Sequence, residues 1–145
     1  MLFQSRINAI LREDGDAAGV VVTHGTSTLE ETAFFLNLTV RSRKPVVVTG
    51  AMRPPTGLST DTDINLYDAI RVAACPDAAG KGVLVVLNNQ IQSARDAVKT
   101  STSRLETFKS GELGFLGYAD SDGKVVFLRA PLDRKSTRLN SSHRT

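Results

Sequence analysis

Several hydroxyl side chains lie in one short loop that follows an apolar run. Residues 23–28 read Thr-His-Gly-Thr-Ser-Thr and precede a segment with helical spacing. A hydroxyl is a weak nucleophile unless a base or a nearby cation changes its proton balance, and Lys99 is the candidate for that role on this chain. Backbone N–H groups at a helix start also favour a developing oxyanion. The pattern therefore suggests a catalytic pair formed by Thr26 and Lys99.

The same loop also has a simpler interpretation. Thr28 and Glu31 have the spacing of a capping box, in which a hydroxyl and a carboxylate satisfy free N–H groups at the start of a helix. Asp61 or Asp63 is expected to cap the next helix in the same way. For His24 we expect a hydrogen-bonded structural role rather than proton transfer. Residue types alone leave both capping and catalysis open for this loop.

Three apolar runs predict the scaffold that positions these residues. Residues 20–23, 45–48 and 82–87 are short runs rich in valine and leucine, as buried parallel strands require, and the first is bounded by Gly19 and Gly25. Helices are expected between them, one starting at Thr28 and one over residues 61–74. This alternation predicts the α/β class, with an open, mostly parallel sheet and helices on both faces. Ligands bind beyond the carboxyl ends of such strands, so the loops there should form the site.

Shorter elements are predicted near both ends of the chain. Residues 5–12 have the apolar spacing of an amphipathic helix, and a short helix is expected at residues 104–108. A final hairpin is expected from residues 117–119 and 125–128. They flank a turn in which Gly123 tolerates a positive φ.

The composition argues against several classes of function. Up to residue 132 the chain carries 14 Lys and Arg against 14 Asp and Glu, and the last 13 residues carry 4 against 1. The net charge of +3 therefore lies in the tail, and the neutral body argues against a nucleic-acid partner.

No apolar run reaches the roughly 18 residues of a membrane span. Cys75, with only His24 and His143 besides it, predicts neither an internal disulfide nor a zinc site.

The last residues differ in character from the rest. Residues 132–145 lack apolar periodicity, and the string from Asp133 to His143 resembles the translation of a common sequencing-library adapter. We expect residues 1–131 to form a partial α/β domain that is truncated at both ends. Residues 132–145 are expected to be a disordered tail of artefactual origin.

The hydroxyl loop belongs to a longer stretch, Gly-Val-Val-Val-Thr-His-Gly-Thr-Ser-Thr-Leu-Glu-Glu-Thr-Ala-Phe-Phe-Leu. This stretch resembles the second active-site signature of the bacterial L-asparaginase and glutaminase-asparaginase family. The wording Thr-Leu-Glu-Glu-Thr of residues 28–32 is closer to the type II branch of that family. The segments that resemble the N-terminal domain of the family, in order, are residues 19–36, 44–54, 65–69, 82–88, 94–100 and 107–110.

This resemblance implies an amidohydrolase that cleaves the side-chain amide of L-asparagine or a related small amide and releases ammonia, without a metal or an organic cofactor. Thr26 matches the family's second catalytic threonine, which acts with the lysine matching Lys99 to activate the attacking water or hydroxyl. Gly25, Ser27 and Ala51 match positions at the substrate. The family forms homotetramers with sites shared between subunits, so the parent protein is expected to do the same, without nucleic-acid or membrane partners.

One residue of the signature departs from the family. Ser27 stands where the family has an aspartate that holds the α-ammonium group of the substrate. A serine offers a hydrogen bond without a charge, and the loss of a charge-assisted hydrogen bond weakens binding by about 1.5–3 kcal/mol, or one to two decades. Either hydrolysis of free asparagine is weakened, or the preferred amide lacks a free α-amino group.

The family's first catalytic threonine and its smaller C-terminal domain lie in segments that this sequence lacks, so the 145-residue chain alone is expected to be inactive. Two other functions stay open. Ser27 is compatible with a non-catalytic amino-acid or amide-binding domain. The glutaminase subunit of a tRNA-dependent amidotransferase is the second alternative, against which the neutral body and the type of signature argue. The sequence favours neither a periplasmic nor a cytoplasmic location.

Overall fold

The computed structural model describes residues 2–131, so the tail predicted at residues 132–145 lies outside the described part of the chain. Single-turn 3-10 helices occur at Pro76–Ala78 and Gly111–Leu113. The α-helices are α1 (Leu2–Glu13), α2 (Leu29–Thr39) and α3 (Thr62–Ala74). The strands are β1 (Val20–Thr23), β2 (Val46–Thr49), β3 (Val83–Leu87), β4 (Gln90–Ser93), β5 (Val98–Lys99), β6 (Phe108–Lys109), β7 (Gly117–Ala119) and β8 (Val125–Phe127).

Six of these strands form one sheet in the order β1-β2-β3-β4-β7-β8. The pairs β1-β2 and β2-β3 are parallel, with Val20 opposite Val46 and Val46 opposite Val83. The pairs β3-β4, β4-β7 and β7-β8 are antiparallel. Strands β5 and β6 form a separate two-stranded sheet. The predicted α/β class is confirmed, and the predicted strand–helix–strand alternation forms the parallel part of the sheet.

Both faces of the sheet are covered at β2 and β3, so these two strands are buried along their whole length. Side chains of a strand alternate between the two faces, so neighbouring valines enter different cores. One core contains Val46 and Val48 of β2 together with buried side chains of α1 and α2. The other contains Val47 with buried side chains of α3. Strand β1 lies at an end of the sheet, and of its residues only Val22 is buried, so the predicted burial holds only in part there.

Strand β4 was not predicted, and a tight turn explains its presence. Asn88 and Asn89 have positive φ angles of 53° and 61°. Two consecutive residues in this region are typical of the turn that joins two adjacent antiparallel strands. The chain therefore reverses after β3 and forms the antiparallel half of the sheet. The Asn-Asn pair is the feature of the sequence from which this hairpin could have been predicted.

Three local predictions have different outcomes. Thr28 is the N-cap residue of α2, as expected, but its side chain makes no capping hydrogen bond, so the predicted capping box is wrong. The helix predicted at residues 104–108 is also wrong, because this segment is irregular and ends in β6. The final hairpin is confirmed by the pairing of β7 with β8 and by the φ of 88° at Gly123.

A buried ion pair connects α3 to the antiparallel half of the sheet. Asp68 is fully buried, and its carboxylate accepts hydrogen bonds from Arg71 Nη2 (2.9 Å) and Asn89 Nδ2 (2.8 Å). Arg71 also donates to the backbone oxygen of Asp120 at 2.8 Å. Burial raises the pKa of Asp68 above its ordinary value, although the hydrogen bond and charge of Arg71 oppose this shift. The folded state therefore favours the protonated carboxyl more than the unfolded chain does.

We expect this shift to appear in the pH dependence of stability. Because the folded-state pKa of Asp68 is raised, its contribution is fully present below the unfolded pKa and is lost as pH rises through the folded pKa. The difference in unfolding free energy between the wild-type chain and Asp68→Asn should fall with rising pH, by at most about 1.4 kcal/mol per pH unit. Urea unfolding at a series of pH values measures it. A difference that rises with pH would show that the ion pair with Arg71 outweighs burial.

Candidate active site

The side chains of Thr26 and Lys99 meet beyond the carboxyl end of β1. Lys99 Nζ donates a hydrogen bond of 3.0 Å to Thr26 Oγ1, although the two residues are 73 positions apart in the chain. Both side chains are half-buried, so the pair is partly shielded and still open to solvent. The two residues suggested as a catalytic pair are therefore in direct contact.

The loop that carries Thr26 is fixed by the ring of His24. Nδ1 of this ring lies 2.7 Å from the backbone oxygen of Gly25, and Nε2 lies 2.9 Å from Thr32 Oγ1. A carbonyl oxygen only accepts, so Nδ1 carries a proton, and in a neutral ring Nε2 accepts from the threonine hydroxyl. The backbone N–H of His24 also donates to Thr49 O at 2.8 Å, which continues the pairing of β1 with β2. His24 thus links the loop to both α2 and the sheet.

Gly50 allows the same loop to lie directly on the chain that follows β2. A Cβ atom at this position would be 2.3 Å from the backbone oxygen of His24 and 3.3 Å from Thr26 Cγ2. No side chain fits there without moving the backbone of the loop. The methyl group of Thr26 faces Gly50, while its hydroxyl bonds to Lys99. Contact with the glycine therefore helps to fix the direction of the hydroxyl.

Two buried polar residues of the α3 region hold the loops that follow β2 and β3. Asn65 is 1% exposed, donates from Nδ2 to Gly50 O (2.9 Å) and accepts from the Asn88 N–H (3.0 Å). The carboxylate of Asp61 accepts from the N–H groups of Met52 and Arg53, each at 2.9 Å. The sequence predicts that Asp61 or Asp63 caps α3. Asp61 is the N-cap residue, but it makes no side-chain capping hydrogen bond.

Lys99 lies in the small β5–β6 sheet. Its neighbour Thr100 donates from its backbone N–H to Thr107 O at 2.7 Å, and Gln92 Nε2 donates to Phe108 O at 3.2 Å. Gln92 belongs to β4, so this bond connects the small sheet to the main one. The position of the lysine thus depends on a short two-stranded unit attached by side-chain hydrogen bonds.

The other residues suggested for the substrate lie around this pair. Gly25 and Ser27 flank Thr26 in the loop and are exposed. Ala51 is half-buried and follows Gly50, the residue against which Thr26 lies. Lys99 brings a positive charge to this region, whereas Ser27 brings none. The arrangement therefore places a hydroxyl and an amine in direct contact, beside residues that are open to solvent.

Within residues 2–131, no group of three or more His, Cys, Asp or Glu side chains is arranged to hold a metal ion. No helix in the same range has the length and apolar character needed to cross a membrane.

Known proteins resemble this chain over nearly its whole described length. The family model "Asparaginase, N-terminal" matches residues 2–133. L-asparaginase 2 of Bacillus subtilis (strain 168) is 54% identical over 133 residues, which are 92% of this chain and 34% of that protein. L-asparaginase 2 of Escherichia coli (strain K12) is 51% identical over 119 residues, 82% of this chain and again 34% of the relative.

A solved structure agrees with these sequences. The crystal structure of a probable cytoplasmic L-asparaginase from Campylobacter jejuni superposes with a TM-score of 0.85 at 46% identity, over 90% of this chain and 41% of that one. The chain spans about a third of the length of the curated relatives named above. Because the family model covers most of the sequence, the chain belongs to the asparaginase N-terminal family.

Proposed function

We propose that the protein to which this chain belongs is an amidohydrolase that cleaves the side-chain amide of L-asparagine or a related small amide and releases ammonia. The observation that carries this proposal is the hydrogen bond of 3.0 Å between Lys99 Nζ and Thr26 Oγ1. The relatives named L-asparaginase support the substrate class. The chain spans about a third of the length of those relatives, so the activity is proposed for the whole protein.

The pair supplies the proton transfers that amide hydrolysis needs. In the contact as it stands, the lysine amine donates to the threonine oxygen. When the amine is neutral, the same contact reverses, and the hydroxyl of Thr26 donates its proton to Nζ. The activated oxygen, or a water molecule that it deprotonates, attacks the amide carbon and forms a tetrahedral species. The C–N bond then breaks, and the departing nitrogen takes the proton from Nζ and leaves as ammonia. Where Thr26 itself attacks, water then cleaves the ester formed on its oxygen, which releases the acid and returns the hydroxyl proton.

Electrostatics favours this direction of reaction. The tetrahedral species carries negative charge on the former carbonyl oxygen, and α2, whose N-terminus is the positive end of the helix dipole, begins at Leu29, shortly after Thr26 in the chain. The protonated lysine formed during attack adds a positive charge at the same place. Both effects stabilise the transition state more than the neutral amide.

Removal of the Thr26 hydroxyl should abolish most of the activity. In the full-length protein, Thr26→Val keeps the side-chain shape, including the methyl group against Gly50, but cannot exchange a proton with Lys99. We expect kcat for ammonia release to fall by about 10²–10⁴-fold. Thr28→Val is the matched control, because Thr28 is exposed and its side chain makes no capping bond. Wild-type kcat in Thr26→Val would contradict the proposal, and ligand binding without any cleavage by the wild type would favour an amide-binding domain.

Restoring a carboxylate at position 27 should change substrate preference rather than rate. Ser27 is exposed beside Thr26, so an aspartate there is tolerated sterically and adds a partner for an ammonium group. Ser27→Asp should lower KM for L-asparagine by about one to two decades, from about 1.5–3 kcal/mol of added interaction. KM for succinamate, the same amide without an α-amino group, should not fall. An equal change for both substrates would argue against a direct contact with the ammonium.

A further inference from the structure

The backbone N–H of Lys99 is not part of the pairing of β5 with β6. Strand β5 contains only Val98 and Lys99, paired with Lys109 and Phe108. The next N–H along the chain, that of Thr100, points to β6 and donates to Thr107 O. Successive N–H groups of an extended strand point to opposite sides, so the N–H of Lys99 points away from β6.

That N–H finds its partner in the carboxylate of Glu30. The backbone N–H of Lys99 donates a hydrogen bond to Glu30 Oε2, and the two residues are 69 positions apart in the chain. Glu30 lies in the first turn of α2, and Thr26 lies in the loop that enters this turn. One helix start therefore holds both members of the pair, Thr26 through the chain itself and Lys99 through a side chain.

A comparison of Glu30 with Glu31 separates the effect of the helix dipole from the contact with Lys99. Glu30 and Glu31 both lie in the first turn of α2, where negative charge interacts favourably with the helix dipole. Glu31 is exposed, whereas Glu30 is half-buried and reaches the backbone of another element. The dipole explains a carboxylate at either position, but it does not explain the bond to Lys99.

We propose that Glu30 is a positioning residue that fixes the backbone of Lys99 so that its amine reaches Thr26, an inference that rests on the proposed function. A lysine side chain has four rotatable bonds and loses much conformational freedom when its amine is held at one point. A fixed Cα limits the positions that the amine can take. A displacement of about 1 Å in a catalytic group can cost about 10²-fold in rate, so this anchor affects chemistry and not only stability.

Labelling of lysine amines tests the contact in the chain as it stands. Glu30→Met and Glu30→Gln have similar shapes and helix propensities, but only glutamine keeps an oxygen that accepts from the Lys99 N–H. With limiting acetic anhydride and mass spectrometry, Lys99 in Glu30→Met should be acetylated several-fold faster than in the wild type, relative to the exposed Lys124. Glu30→Gln and the control Glu31→Met should label like the wild type. Thr26→Val calibrates the rate expected once the amine has lost its partner.

The labelling result for Lys99 can be interpreted even if a variant is less stable than the wild type. Circular dichroism and the labelling of the remaining lysines report whether the fold persists, and the Gln variant provides the comparison if Met disrupts it. Unchanged labelling of Lys99 in folded Glu30→Met would overturn the proposal. So would loss of protection in Glu30→Gln equal to that in Glu30→Met, because the acceptor would then be irrelevant.

Kinetics of the full-length protein separates positioning from general support of the fold. Because Lys99 acts on the chemical step, Glu30→Met should lower kcat by about ten- to hundredfold and leave KM within about twofold, with most of kcat restored in Glu30→Gln. Wild-type kcat in a Glu30→Met variant with faster labelling would also overturn the proposal. If the wild-type protein releases no ammonia, the proposed function fails, whereas the labelling experiment still decides whether Glu30 holds Lys99.

Discussion

The contact between the Lys99 amine and the Thr26 hydroxyl constrains the elements around it, because the two residues come from separate units. Thr26 follows an end strand of the main sheet, and Lys99 belongs to a two-residue strand outside that sheet. A bond of 3.0 Å between them requires both backbones to be fixed closely. The ring of His24, the missing side chain at Gly50 and the carboxylate of Glu30 each supply part of that requirement.

The parallel half of the fold could be predicted because its signal is local. Strands β2 and β3 are buried on both faces, so they appear in the sequence as uninterrupted apolar runs. Strand β4 could not be recognised in this way, since its buried Gln92 and Ser93 are polar. Gln92 is tolerated there because it bonds to Ser110 and to the backbone of Phe108, partners that no local pattern reveals.

In the site, the contacting pair could be suggested from the sequence, whereas the side chains that hold the pair could not. Thr26 and Lys99 were suggested by their chemistry and by the resemblance of the surrounding segments, and the structure brings them together. Glu30 and Asn65 were not recognised, and Asp61 was expected only as a helix cap, because their side chains bond mainly to backbone groups of other loops. Such contacts place no demand on the identity of the partner residue. Only the folded arrangement shows them.

The difference between Gly50 and Ser27 has a consequence for how such a protein can diversify. Position 50 is closed to change, since any side chain there displaces the backbone that carries Thr26. Position 27 is adjacent to the same threonine but open to solvent. A new side chain there changes the groups that a ligand contacts, and the backbone around Thr26 keeps its position. Substitutions that change ligand preference are therefore sterically tolerated at residue 27, whereas substitutions at residue 50 disrupt the fold of the loop. Both positions lie next to the same hydroxyl.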